Sequence, residues 1–373
     1  MKIAHLVCVF PPYKGGIGKS ALDFASMMKE GNEIDILTPL YTQVYTKDNF
    51  KNIRVKRIKP LFKLGNGAFM PSLFFKLRKY DLVYLHYPFF GSAEIVWLFS
   101  FFNNKTKIIL HYHMDVLGLS PIMKFLSIPS RLIEKNLLKR ADLITVASFD
   151  YVENSDINNF YYKNKDKFRE TYFPVDTEKF KPSEKKKEKR QKNILFVGGL
   201  DRAHYFKGLS VLFKALSFLK KRDDWHFSVV GSGDMVDEYK KIVKDYKIED
   251  RIDFLGSLSD ESLSEVYRES DLFVLPSINR GEAFGIVLLE AMSSALPVIA
   301  SNLAGVRTVF SDNEGLLSNP GDPKDLSKKI EILLNDNKLL NYMSHSARNL
   351  VLKKYSYQKV SERLNKIIND FCL

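Results

Sequence analysis

The sequence predicts an α/β protein built from two doubly wound, Rossmann-like domains. Three observations carry that expectation. Short β-branched apolar runs alternate with longer amphipathic stretches along the whole chain, the pattern of parallel strands with helices on both faces. A run without an apolar residue, Lys185-Lys-Lys-Glu-Lys-Arg-Gln-Lys192, interrupts the alternation, which restarts at Asn193. The chain has 373 residues, more than one hydrophobic core usually organises.

In the first half, strands are expected at 2–10, 33–38, 53–58, 81–86, 107–113 and 142–147, and helices at about 19–30, 71–79, 92–102, 121–138 and 148–154. The stretch 82–102 imitates a membrane span, but His86, Pro88, Gly91 and Glu94 interrupt it. A span needs about 20 nearly unbroken apolar residues, so a strand, a turn and a helix are expected instead. In the second half, strands are expected at 193–198, 226–231, 251–255, 272–275 and 297–300. Helices follow at about 208–221, 234–246, 260–268, 285–294, 324–335 and 338–352. A last helix, 357–371, has no strand of its own to serve and is expected to pack back on the first domain. The organisation is therefore a first domain of 1–183 joined by 356–373, a linker at 184–193, and a second domain of 194–355. Ligands of such sheets bind beyond the carboxyl ends of the strands, so the expected site is a cleft between the two domains.

Charge is unevenly spread. The formal net charge is +13. Residues 1–183 hold 27 Lys and Arg against 17 Asp and Glu, whereas 194–355 hold 21 against 23. Within 51–80 there are nine basic residues, no acidic one, and Phe62, Leu64, Phe69, Met70, Leu73, Phe74 and Phe75 among them. The stretch 121–140 adds Leu and Ile with basic residues at helical spacing. This interleaving favours an anionic membrane surface over nucleic acid. The bland alternative is a solvated basic face. Two cysteines, Cys8 and Cys372, make neither a disulfide framework nor a metal site, and the first residues lack a signal-peptide pattern. A cytoplasmic protein is the expectation.

The stretch "PPYKGGIGKSA", 11–21, looks like a phosphate-binding P-loop, but that motif needs glycine where Tyr13 stands. What remains is a strand, a glycine loop and a helix starting near Lys19, with Gly15 and Gly16 positioned for close backbone approach to an anion. The stronger constellation is "LPSINRGEAFGIVLLEAMSSALPVIASNLAGV", 275–306. A helix starting near Gly285 offers unpaired N–H groups and a partial positive charge. Glu282 and Glu290 flank that start, and carboxylates there suit sugar hydroxyls better than phosphate. One anion site between two hydroxyl-binding carboxylates suits a nucleotide sugar.

Glu282 and Glu290, eight apart with Phe284-Gly285 between them, resemble the Glu-x7-Glu signature of retaining glycosyltransferases of family four, which have the GT-B fold. "FVGGLDRAHYFKGLSVLFKAL" (196–216), "VVGSGDM" (229–235) and "IDFLGSLSDESLSEVYRESDLFVLPS" (252–277) resemble that family's nucleotide-binding domain, and the glycine loop and "HYHMD" (111–115) fit its first domain. The resemblance implies that Arg202 and Lys207 hold the donor diphosphate, a task suited to charge-assisted bonds. It implies that Glu282 faces the donor sugar and that Glu290 accepts from ribose hydroxyls. Main-chain N–H groups of Phe284, Gly285 and Ile286 meet sugar or phosphate oxygens, and Gly231 and Gly233 let the base approach. Gly305 is a weaker phosphate-loop candidate. His113 matches the family's cleft histidine, Asp115 orients its loop or an acceptor hydroxyl, and His86 lines the acceptor side.

No Asp-x-Asp pair occurs, so no metal and no further cofactor are expected; the leaving diphosphate is neutralised by Arg202, Lys207 and helix starts. Zinc on His86, His111 and His113 is disfavoured because no cysteine or carboxylate cluster completes a set. Two departures from the family pattern stand out, Ala295-Leu296-Pro297 and the segment between Asp201 and Lys207, which contains His204-Tyr205-Phe206. The implied reaction moves a hexose from a UDP- or GDP-linked donor to a hydroxyl of a glycan or lipid-linked acceptor. The rivals are a nucleotide-sugar epimerase of the same fold and a non-catalytic binder.

Overall fold

The computed structural model describes residues 1–13, 15–41, 50, 52–118, 121–183 and 191–372. The chain divides into two compact units, Met1–Phe173 with Val360–Leu373, and Pro174–Lys359.

The first unit holds a parallel sheet of β1 (Lys2–Leu6), β2 (Glu33–Pro39), β3 (Ile53–Ile58), then, past the small antiparallel hairpin β4 (Phe62–Leu64) and β5 (Gly67–Phe69), β6 (Leu82–Tyr87), β7 (Lys107–Tyr112), β8 (Leu143–Val146) and β9 (Phe168–Glu170). Their order is β3-β2-β1-β6-β7-β8-β9, so the topology reverses between β1 and β6. Every residue of β6 is buried, as its apolar composition requires of a strand covered on both faces. Helix Gly16–Met27 buries Ala21, Phe24 and Ala25, and Phe24 lays its ring edge-on against Tyr84 and His111. The last helix, Tyr357–Cys372, reaches this unit: Asn365 donates to Met27 O at 3.1 Å, and Arg363 donates to Glu170 O at 2.7 Å.

The second unit holds β10 (Lys192–Val197), β11 (Trp225–Val230), β12 (Ile252–Gly256), β13 (Leu272–Leu275), β14 (Val298–Ser301) and β15 (Gly315–Ser318) in the parallel order β12-β11-β10-β13-β14-β15. Its reversal falls between β10 and β13. Phe196, Leu212, Phe213, Trp225, Phe227 and Val274 form the centre of its core.

Several boundaries differ from the sequence reading. The second unit begins at Pro174, not after the charged run, most of which (184–190) lies outside the described residues. Val175 N–H donates to Tyr355 O at 2.9 Å, and Arg348 donates to Thr177 O and Phe180 O at 3.1 and 3.0 Å. Those bonds bring 174–183 into the second unit before any change of composition marks it. The expected strand 2–10 stops at Leu6. The expected helix 121–138 breaks at Ser127 into Pro121–Leu126 and Ile128–Arg140, and 71–79 forms only short helical turns, Leu73–Lys76 and Leu77–Lys79. The hairpin β4–β5, strands β9 and β15, and helix Asn158–Lys163 were not anticipated; each is at most six residues long, too short to show a period.

Candidate functional site

In the second unit the loops after β10 and β13, neighbours across the reversal, are locked together by backbone. Ile278 N–H donates to Phe206 O at 2.7 Å. Gly208 has φ 70°, and a Cβ there would stand 2.0 Å from Pro276 O. This clamp presents Lys207, the last residue of the short turn Arg202–Lys207, to the β13 loop. Lys207 Nζ lies 2.8 Å from Glu282 Oε2, with the side chains 14% and 11% exposed, and Ser277 Oγ donates to the same oxygen at 3.3 Å. A methyl group on Gly198 would meet Lys207 Cδ at 2.6 Å, so the lysine stem lies against the end of β10.

Three residues after Glu282, Gly285 takes φ 82° and ψ 61°, left-handed values that suit glycine, and starts helix Ile286–Ser293. A Cβ would come within 2.8 Å of Leu275 Cδ2. No side chain caps this helix, whose first turn carries the positive end of its dipole. Phe284 and Ile286 flank the glycine, and the Phe284 ring is buried edge-on to Tyr355. Glu290, one turn in, is buried and accepts from the Tyr267 hydroxyl at 3.1 Å. Burial, then the Glu290 carboxylate, raises the Tyr267 phenol well above its usual range, so it stays a donor. Tyr267 escaped the sequence reading, since nothing local marks a tyrosine 23 residues before its partner.

Arg202 stands apart from this pair. Its side chain is 74% exposed and lies beside Asp234 and Glu238, at 3.5 and 3.7 Å. Gly231 and Gly233 were expected to admit a nucleotide base. A Cβ on Gly231 would fall 1.9 Å from Gly198 O, and one on Gly233 would fall 2.1 Å from Leu200 C. The close approach they allow is to the chain itself. Gly305 has φ 83° and opens the short turn Val306–Thr308.

In the first unit, helix Gly16–Met27 begins three residues ahead of the expected start, so Gly16 is its first residue and Gly15 its uncapped N-cap. Both are exposed, and a Cβ on Gly15 would meet nothing within 4 Å. The sterically constrained glycine is Gly18, missed from sequence, whose Cβ would stand 2.9 Å from Val9 O. Ser20 Oγ turns back to donate to Gly16 O at 2.7 Å, which spends the hydroxyl that a P-loop would direct to an ion.

His113 and Asp115 follow β7, and His86 lies in β6. All three are buried. His86 Nδ1 is 2.9 Å from His113 Nε2. Asp115 accepts from Tyr112 OH at 2.5 Å and from Asp156 N–H at 3.1 Å, and its own N–H donates to Tyr151 OH at 2.8 Å. Asp115 thus anchors the loops at the carboxyl edge. His111 packs in the strand with Nδ1 2.9 Å from Thr145 Oγ1. Among the described residues, no group of three or more His, Cys, Asp or Glu is arranged to hold a metal ion. A cavity of about 690 Å³ lies at Asn193, His226, Ser228, Asp253 and Glu269. It shares no residue with the loops just described, and its His226 and Asp253 already pair at 2.8 Å.

Comparison with known proteins places both units. Residues 14–155 match the model for Glycosyltransferase Family 4, and 176–350 match that for Glycosyl transferases group 1. The chain is 26% identical to a D-inositol 3-phosphate glycosyltransferase of Corynebacterium glutamicum, over 95% of this chain and 92% of that protein. It is also 26% identical to a phosphatidyl-myo-inositol mannosyltransferase of Mycobacterium leprae, with the same coverage. Its fold is that of Anabaena HepE solved in complex with UDP, with a TM-score of 0.78 at 19% identity over 99% of this chain and 100% of that one. These matches establish the GT-B fold of two Rossmann-like domains expected from the sequence.

Proposed function

This chain belongs to the group 1 glycosyltransferases, with a family 4 first half, and we propose that it moves a hexose from a UDP- or GDP-linked sugar to a hydroxyl of a glycan or lipid-linked acceptor. Transfer proceeds with retention at the anomeric carbon and serves cell-surface polysaccharide synthesis. One observation carries this reading: the Lys207–Glu282 pair stands beside an uncapped helix start, with the buried Glu290 one turn beyond.

A nucleoside diphosphate brings a second anion to Lys207 and the helix start. Lys207 and the N–H groups from Phe284 to Ile286 meet the phosphates, which stabilises the charge developing on the leaving group without a metal or a cofactor. Arg202 joins them by leaving Asp234 and Glu238, an exposed pairing that is worth little. Glu282 turns to the sugar hydroxyls, and Glu290, held by Tyr267, takes the ribose. Gly15 and Gly16 leave open backbone for the transferred sugar or phosphate, and His113 meets a sugar hydroxyl. Double displacement needs a carboxylate close under the anomeric carbon. Glu282 is paired with Lys207, and Asp115 holds its loops through Oδ1, which accepts from Tyr112 and Asp156. Attack on the face from which the phosphate departs, with that phosphate as base, fits these residues. The UDP and UDP-glucose complexes of the Anabaena protein favour a UDP-sugar donor.

We further propose a cytoplasmic enzyme at the inner face of the plasma membrane. No helix among the described residues is long and apolar enough to cross a membrane. Leu61, Phe62, Phe75, Phe102, Phe125 and Leu132 are exposed in the first unit, within or beside the basic stretches 51–80 and 121–140. Interleaved apolar and cationic side chains suit an anionic lipid surface. Vesicles rich in anionic lipid are expected to sediment the protein at low salt and release it at high salt; no sedimentation in either condition refutes the membrane association.

The central test is a panel of UDP-, GDP- and ADP-sugars scored by thermal shift, since a donor that binds only the folded state raises its stability. The best donor is then incubated with and without acceptor glycans in EDTA, and the product anomer is read by NMR. An epimer formed from donor alone selects the epimerase reading. Binding without turnover on any acceptor selects the non-catalytic one.

A further inference from the structure

A line of buried histidines climbs the first sheet toward its carboxyl edge. His5 in β1 is in register with Tyr84 of β6, His86 lies two residues on and is in register with His111 of β7, and His113 lies two residues beyond His111. Side chains alternate along a strand, so these five residues share one face of the sheet. His5 Nδ1 is 3.2 Å from His86 Nε2, and His86 Nδ1 is 2.9 Å from His113 Nε2. The line crosses the β1–β6 reversal, the place where such sheets bind ligands. Its surroundings are aromatic: Phe24 packs on His86 and His111, and Phe173 stacks on His113 with ring centres 5.8 Å apart.

We propose that His5 and His86 are positioning residues that fix one tautomer of His113, which presents Nδ1–H as a hydrogen-bond donor to a hydroxyl of the bound sugar. His113 is then not a base. The identity of the ligand rests on the transferase reading; the tautomer does not.

A neutral imidazole has one N–H and one lone pair. Burial keeps these rings neutral, with His5 and His113 lowered to about 3 and His86 held well below its usual range by burial and by its histidine neighbours. Two hydrogen bonds along three neutral rings admit only two arrangements. In the outward one, His5 Nδ1–H donates to His86 Nε2 and His86 Nδ1–H donates to His113 Nε2, which places the His113 proton on Nδ1. The inward one reverses both bonds and puts a proton on His5 Nε2. That nitrogen is buried and has no partner among the described residues. A buried N–H without an acceptor is the rarer and costlier defect. The outward arrangement leaves only a lone pair there, deep in the sheet, and delivers the donor at the edge.

The test is histidine-selective ¹⁵N NMR on the whole protein, with His113 assigned through the loss of its signals in His113→Asn. The expected spectrum shows a protonated Nδ1 and a bare Nε2 at His113; a proton on Nε2 overturns the proposal. Kinetics give a second readout. His86→Leu removes the donor to His113 and is expected to lower kcat/KM for the sugar donor about tenfold, the worth of one neutral hydrogen bond. Glutamine can accept from His5 and donate to His113, so His86→Gln is expected to stay within about threefold of the unaltered enzyme. Equal losses in the two variants, or none in His86→Leu, overturn the positioning role. Full transfer by His113→Ala overturns the ligand assignment and leaves the tautomer result standing. If His86→Leu does not fold, the spectrum of the unaltered protein decides.

Discussion

Replacing Lys207 by alanine strands the Glu282 carboxylate in a largely buried position. The two groups are 2.8 Å apart and about one-eighth exposed, and Ser277 at 3.3 Å would remain as a weaker partner. Removing one member of a buried pair costs about 3–5 kcal/mol, and the residual exposure with Ser277 argues for the low end, about 3 kcal/mol. In a unit the size of Pro174–Lys359, 1 kcal/mol moves the melting temperature by about 2–4 °C, so a fall of about 6–12 °C is expected. The double variant Lys207→Met/Glu282→Gln strands no charge and should recover most of that loss. Donor binding separates stability from function. At about a hundred times its Kd, a donor stabilises the folded protein by about 2.7 kcal/mol. Both variants should lose most of that gain, because both lack the cation that meets the diphosphate. The assay is scanning calorimetry with and without the preferred UDP- or GDP-sugar. If Lys207→Ala melts within about 1 °C of the unaltered protein, the pair is not closed in solution. If the double variant melts with the single one, the loss is not a stranded charge. Either result refutes the reasoning.

Three further outcomes are expected. Gly285→Ala forces a left-handed backbone on alanine and crowds Leu275, so it should cost about 1–2 kcal/mol and weaken donor binding, read by melting and donor titration. Gly18→Ala drives a methyl group into Val9 O and should destabilise the first unit, whereas Lys19→Ala, on the exposed side of the same helix, should leave transfer within about twofold; loss of activity in Lys19→Ala would reopen the P-loop reading. Acid should unfold the first unit early. His5 and His113 are neutral in the fold down to about pH 3 but take protons in the unfolded chain below about pH 6.5. Between those limits the unfolded state binds more protons, so stability is full above pH 6.5 and falls as pH drops, by about 1.4 kcal/mol per pH unit for each such histidine. Urea unfolding at pH 7 and pH 5 measures the fall, and a flat response would show that the rings are not kept neutral.

Much of the architecture was legible because it is written in local periodicity. Each expected parallel strand of the two sheets is present, since a strand buried on both faces reads as an apolar run wherever it occurs. The glutamates and the helix start between them were legible for the same reason: Glu282, Gly285 and Glu290 lie within nine residues and one loop. The short elements were not legible, because β4, β5 and β9 have three residues each and owe their form to tertiary partners. The domain boundary was misplaced because charge marks a solvated stretch, whereas the change of unit is made by Val175 and Arg348 through backbone hydrogen bonds that leave no pattern in composition.

What sequence could not give is the reason for each residue, because the reason lies in a partner far along the chain. Gly231 and Gly233 read as openings for a base, yet backbone from Gly198 and Leu200 fills the space a side chain would need. In the stretch 11–21 the glycines read as one flexible loop. The structure gives them separate tasks: Gly18 lets the helix lie against Val9, while Gly15 and Gly16 stand exposed at its start with no demand from the protein around Gly15. A glycine that the fold itself requires is explained by packing. A glycine that the fold does not require, at an uncapped helix start on the carboxyl edge of a parallel sheet, is the one whose substitution should touch the ligand and spare the fold. Gly15 therefore carries the functional question that the P-loop likeness first raised, and Gly18 answers only for stability.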